Sequence, residues 1–193
     1  DMECDYVWIM DDDTIPYTDC LEKLMSARSK IEGKIGYLAS SIIGPDSEPM
    51  NVPAIDMRPA KNGYPHWYKY LSEGIVQISR ATFVSILIPY DAIKKCGLPC
   101  KDYFIWGDDS EYTMRISKYY APAYFVGASV ALHKRFSLEP WILLLREKGL
   151  RNILRMNCLC KNNVVAISNA KEGKLNGDIS SCVWTVYALH LFS

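Results

Sequence analysis

Tyr6-Val-Trp-Ile-Met-Asp-Asp-Asp13 sets the fold class of this chain. Residues 6–10 form a short apolar run rich in strand formers, and the run stops abruptly at three consecutive acids. That pattern predicts a buried strand ending in an acidic loop. Downstream, Pro16 suits a first helical turn, and Leu21, Leu24, Met25 and Arg28 recur at helical spacing until Gly33. A strand followed by a helix is the rhythm of an α/β protein.

The rest of the chain continues that rhythm. Residues 35–43 predict a second strand. The proline-rich stretch 44–65 predicts a long loop, of the kind that often carries binding function. Residues 74–89 supply further strand material, 90–95 one or two helical turns, and Gly97 with Pro99 a helix stop. An apolar strand over 124–132 runs into His133. Residues 141–156 predict an amphipathic helix carrying Arg146, Lys148, Arg151 and Arg155.

Composition narrows the function classes. With 193 residues, 49% apolar and 23% charged, the chain is an ordinary globular protein. Lys plus Arg and Asp plus Glu balance at 22 each, so no net positive field gathers nucleic acid. The longest apolar stretches, 83–89 and 182–192, fall short of the roughly 20 residues that cross a bilayer. The seven cysteines show no repeated metal spacing: Cys96 and Cys100 stand four apart, Cys158 and Cys160 two apart. They read as reduced, packed thiols of a cytoplasmic protein rather than a zinc site. The chain opens at Asp1 directly ahead of a strand, which reads as a fragment of a longer protein.

Acidic and imidazole groups at element ends carry the chemistry, since open α/β sheets place their ligand sites there. In extended chain alternate side chains point the same way, so Asp11 and Asp13 can face one ion while Asp12 turns aside toward substrate. Carboxylates suit Mg2+ or Mn2+, and a nitrogen from His133 shifts the preference toward Mn2+. The plain alternative is a solvated turn after a strand. Further on, Asp108 predicts a helix N-cap, with Glu111 completing a capping box and Asp109 in the first turn, where the helix dipole favours an anion. Those acids do no more than start a helix unless Asp109 is a general base, taking the proton of an attacking hydroxyl. Asp108 would then hold a sugar hydroxyl, and Trp106 would stack on a sugar face. His66, beside Trp67, reads as a surface loop residue.

Asp5-Tyr-Val-Trp-Ile-Met-Asp-Asp-Asp-Thr-Ile-Pro16 resembles the metal-binding strand and loop of inverting, family-two glycosyltransferases with the GT-A fold. The most similar branch is that of galactofuranosyl- and rhamnosyltransferases. In that branch a Trp followed closely by paired Asp supplies the catalytic base. Phe104-Ile-Trp-Gly-Asp-Asp-Ser-Glu111 resembles it and maps the base onto Asp109. A later strand-end His is a metal ligand there, which matches His133. The resemblance spans residues 5–133, and Gly107 departs from the galactofuranosyl pattern, leaving the sugar open.

The resemblance implies a GT-A (Rossmann-like) mixed sheet flanked by helices, its N-terminal nucleotide-binding units preceding Asp1. Residues 1–135 would be the metal and acceptor side of the catalytic domain. Residues 136–193 would be a C-terminal helical extension, packing on that domain or on the inner face of the cell membrane. The implied cofactor is Mn2+ or Mg2+. The implied donor is uridine-diphosphate galactofuranose or thymidine-diphosphate rhamnose, and the acceptor a cell-surface glycan or its lipid carrier. Two other classes compete: a metal-dependent phosphoryl transferase or hydrolase, and a non-catalytic carbohydrate-binding or scaffold fragment.

Overall fold

The structure, a computed structural model, describes residues 4–100, 103 and 107–134. These divide into two units, 4–98 with 112–134 and the described part of 99–111. The expected boundary at 135/136, the amphipathic helix over 141–156 and the apolar stretch 182–192 lie outside the described residues.

The first unit is an open mixed α/β sheet. Its elements are β1 (Tyr6–Met10), β2 (Thr14–Pro16), α1 (Cys20–Lys30), β3 (Leu38–Ile43), β4 (Pro49–Met50), β5 (Ala54–Ile55), β6 (Ile75–Arg80), β7 (Ser85–Pro89) and α2 (Tyr90–Cys96). They are followed by α3 (Asp108–Tyr119), which begins in the second unit, and β8 (Ala123–His133). The strand order is β1-β7-β3-β8-β6-β5, with β2 on β8 and β4 on β3. β1 and β3 each run antiparallel to β7, while β3 and β8 are parallel. Hence β1, β3 and β8 point the same way, and the acidic end of β1 lies at the same sheet edge as His133.

Strand alternation explains the two-sided core. Leu38, Leu87, Tyr124 and Val126 pack with Leu24, Ala27 and Ile31 around α1. Their neighbours Ala39, Ile86, Ile88 and Ala123 turn to the other face, against Ala92 of α2 and Tyr112 and Ile116 of α3. β7 is apolar without alternation because both its faces are covered. Burying a side chain of Leu or Ile size contributes about 1.5–3 kcal/mol, so helices on both faces hold the sheet edge in place.

Three local expectations are corrected. Pro16 closes the short edge strand β2 rather than opening a helix; an edge position tolerates a residue without an N–H, and α1 starts only at Cys20. The second strand begins at Leu38 rather than 35, after Gly36, where a Cβ would stand 2.5 Å from the Ala121 carbonyl oxygen. The long loop contains two short strands, β4 and β5, that tie it to β3 and β6. No helix among the described residues is long and apolar enough to cross a membrane.

Candidate metal centre

At the end of β1 the chain turns instead of staying extended. Thr14 N–H donates to the Asp11 carbonyl at 3.1 Å, with Asp12 and Asp13 at the corner. The turn is then pinned to the end of β8: Thr14 stands opposite His133 in the ladder, and Lys134 N–H donates to the Asp13 carbonyl at 2.9 Å. The alternation expected of an extended Asp11–Asp13 segment is therefore corrected. A tight turn, locked by strand pairing, brings the two carboxylates together.

β8 delivers the third group through an irregularity. Its register against β3 jumps from Ser40 opposite Val126 to Ser41 opposite Val130. Extra residues in one strand bend it and re-aim the side chains beyond the bend. Past the jump Ser129, Ala131 and His133 alternate onto one buried face, and His133 is only 3% exposed. A buried hydroxyl and thiol chain braces these strands from below. Trp8 Nε1–H donates to Ser85 Oγ at 3.1 Å, and Ser40 Oγ lies 2.9 Å from Ser85 Oγ and 3.0 Å from Ser129 Oγ. Ser129 Oγ meets Cys20 Sγ at 3.1 Å, so β1, β7, β3, β8 and the start of α1 are cross-linked by one polar chain.

Among the described residues, Asp11, Asp13 and His133 form a group whose candidate ligand atoms all lie within 4.8 Å of one another. His133 Nε2 is 3.0 Å from Asp13 Oδ1, and its Nδ1 is 3.0 Å from Asn51 Oδ1. An amide oxygen accepts, so a ring proton lies on Nδ1, and Nε2 faces a carboxylate oxygen. Two acceptors at that distance need positive charge between them, either a proton or a cation. Adjacent ligands of an octahedral ion bound at about 2.1 Å stand about 3 Å apart, so the donor spacing fits a metal. The set of two carboxylates and one imidazole suits Mn2+ better than Mg2+. Asp11 is exposed, Asp13 half-buried and His133 buried, so the group has one anchored side and one side open to solvent. Beside it, the buried Thr14 Oγ1 has no hydrogen-bond partner among the described residues. Such an atom costs about 1–3 kcal/mol until it meets water or a ligand.

The other expected site residues are placed differently. Asp12 is exposed at the turn and is not a member of the group. Asp108 and Asp109 open α3 in the second unit, together with Glu111. The capping expectation is corrected: Glu111 N–H donates to the Gly107 carbonyl at 2.9 Å, so Gly107, with φ of 91°, holds the cap position and Asp108 is the first helical residue. Asp109 Oδ1 accepts from Ser110 N–H at 2.6 Å. Acids in this first turn match the positive end of the helix dipole. Trp106 lies outside the described residues. His66 is exposed in a loop, as expected. None of the described cysteines, Cys4, Cys20, Cys96 and Cys100, is in a disulfide, whereas the Cys158 and Cys160 pair lies outside the described residues.

Asn51 was missed by sequence reasoning. It lies 82 positions from His133 in a proline-rich loop, and no spacing rule connects them. Its only local signal is a turn-like context. The chain matches no protein-family model and no curated protein.

Proposed function

We propose that this chain carries the metal and acceptor side of an inverting glycosyltransferase with the GT-A fold, acting on a nucleotide-diphosphate sugar of galactofuranose or rhamnose type. The observation that carries the reading is the convergence of Asp11, Asp13 and His133 at the C-terminal ends of the parallel strands β1 and β8. Open α/β sheets bind their ligands at such ends. A divalent cation held there supplies charge neutralisation for a departing nucleoside diphosphate. Asp11 and Asp13 bind it through oxygen, His133 through nitrogen, and Asp12 faces the donor from the exposed corner of the turn.

The proton-transfer part of the proposal rests separately on the resemblance of residues 104–111. There Asp109 accepts the proton of the acceptor hydroxyl, while Asp108 and Trp106 hold the sugar. Attack by that hydroxyl on the anomeric carbon breaks the bond to the diphosphate in one displacement, so the configuration inverts. The acceptor is a cell-surface glycan or its lipid carrier.

The test combines Mn2+ calorimetry with product analysis on both nucleotide sugars, with and without acceptor. Wild-type protein should bind Mn2+ and transfer sugar with inversion, and excess chelator should abolish transfer. Asp13→Ala should weaken Mn2+ binding by more than about 100-fold, beyond what loss of an outer partner costs, and His133→Ala by less, because a neutral ligand is removed. Full activity in chelator would overturn the metal-dependent reading. Acceptor-independent release of the sugar or its phosphate would identify a hydrolase, and sugar binding without turnover a carbohydrate-binding fragment.

A further inference from the structure

The imidazole of His133 has two nitrogens and only one proton when neutral, so something must decide which nitrogen faces the carboxylates. We propose that Asn51 is the positioning residue that decides it: its amide oxygen holds the proton on Nδ1 and thereby aims the Nε2 lone pair at the ion. This inference rests on the metal reading above and adds to it a residue outside the ligand set.

Three observations support it. The Nδ1 to Asn51 Oδ1 distance is 3.0 Å, and His133 is 3% exposed, which leaves water little access to the ring. Asn51 follows directly on β4, whose residues Pro49 and Met50 pair with Ile43 and Ile42 of β3, so the amide is carried on the sheet rather than on a loose loop. Its backbone has φ of 49°, in the left-handed region. Glycine suits that conformation best and asparagine tolerates it. Asparagine is therefore not required by the turn, and what it adds over glycine is the acceptor. Outer partners that orient a ligating histidine typically change metal affinity by about 10- to 100-fold.

Because glycine keeps the backbone and removes only the amide, Asn51→Gly separates the two roles. In the full chain with 15N-labelled histidine, long-range 1H–15N correlation spectra of the protein loaded with Zn2+, a diamagnetic stand-in for Mn2+, should show His133 protonated at Nδ1 with Nε2 on the ion. Asn51→Gly should weaken Mn2+ binding by about 10- to 100-fold in calorimetry and move the Nδ1–H proton of the Zn2+-loaded protein upfield as its acceptor is lost, with a small fall in melting temperature from the lost hydrogen bond. Asn51→Asp, which keeps an acceptor at the same place and tolerates the same backbone, should restore the downfield Nδ1–H proton and wild-type or tighter Mn2+ binding. Wild-type Mn2+ affinity in Asn51→Gly, or an Nδ1–H proton unmoved by that substitution, would overturn this inference and leave the ligand set standing. Failure of the wild type to bind Mn2+ at all would remove the metal reading and this inference with it.

Discussion

Two carboxylate clusters in the same unit, one around Asp56 and one around Asp13, are built on opposite plans. Asp56 is 2% exposed and accepts four hydrogen bonds: Oδ1 from Arg58 N–H at 3.0 Å and Nε at 2.8 Å, Oδ2 from an Arg58 guanidinium nitrogen at 2.7 Å and from Gln77 Nε2 at 2.9 Å. Arg58 also donates to the Ser117 carbonyl at 3.1 Å. Donors therefore surround this acid, and it acts as a clip holding the proline-rich loop to β6 and α3. Around Asp13 two carboxylates and an imidazole converge within 4.8 Å at the sheet edge where strands end. A carboxylate surrounded by donors of its own protein stabilises the fold, whereas the group around Asp13 is the one the proposed function uses.

On the proposed function, removing a site acid costs chemistry, whereas removing the clip acid costs stability. Asp109 should give the largest effect of the first kind. Asp109→Asn should lower turnover by about 10² to 10⁴, equivalent to roughly 3–5 kcal/mol of barrier, with Mn2+ affinity unchanged and stability lowered only by the lost dipole contact, about 0.3–1 kcal/mol. Steady-state transfer assays beside calorimetry check it, and near wild-type turnover would remove Asp109 as base.

Asp56→Ala should give the second kind. Breaking a buried pair costs about 3–5 kcal/mol, and because Arg58 is 42% exposed and can rehydrate, about 2–3 kcal/mol is expected here. Urea unfolding should show that loss, while Mn2+ affinity stays at the wild-type value. A fall in Mn2+ affinity as large as the one produced by Asp13→Ala would erase the distinction between the clusters.

The clip also has a pH signature. Burial pushes the Asp56 carboxyl up, but hydrogen bonds from Arg58 and Gln77 and the guanidinium charge outweigh it and hold it below the ordinary aspartate value. A folded value below the unfolded one, about 3.9, means that the stabilisation is complete well above that pH and fades as pH falls through the folded value. The urea midpoint of the wild type should therefore drop more steeply between about pH 5 and 2 than that of Asp56→Asn. Equal slopes would show that the carboxylate charge is not what the clip uses.

The smallest effect belongs to Asp108. With Gly107 in the cap position, Asp108→Ala loses only a dipole contact worth about 0.3–1 kcal/mol, and Asp108→Asn should unfold at nearly the same temperature as Asp108→Ala. A loss of about 2 kcal/mol in Asp108→Ala alone would restore the side-chain cap.

Features that depend on near neighbours in the chain are legible in the amino-acid order alone. Five apolar residues before three acids specify a strand and its end, helical spacing over residues 21–28 specifies α1, Gly97 stops α2, and the apolar run over 124–132 specifies most of β8 and puts His133 at its end. Residue chemistry alone also marked Asp11, Asp13 and His133 as metal-binding types. How those groups meet is a matter of tertiary structure. The corner at Asp12 and Asp13 is locked by pairing with β8, Pro16 lies in a strand because that strand is an edge, and the register jump in β8 sets the face that His133 presents. Asn51 and the Asp56 clip belong to the same class. Local propensity acts over a few residues, whereas a hydrogen bond across 82 positions exists only once sheet order and register have brought a loop and a strand end to one edge.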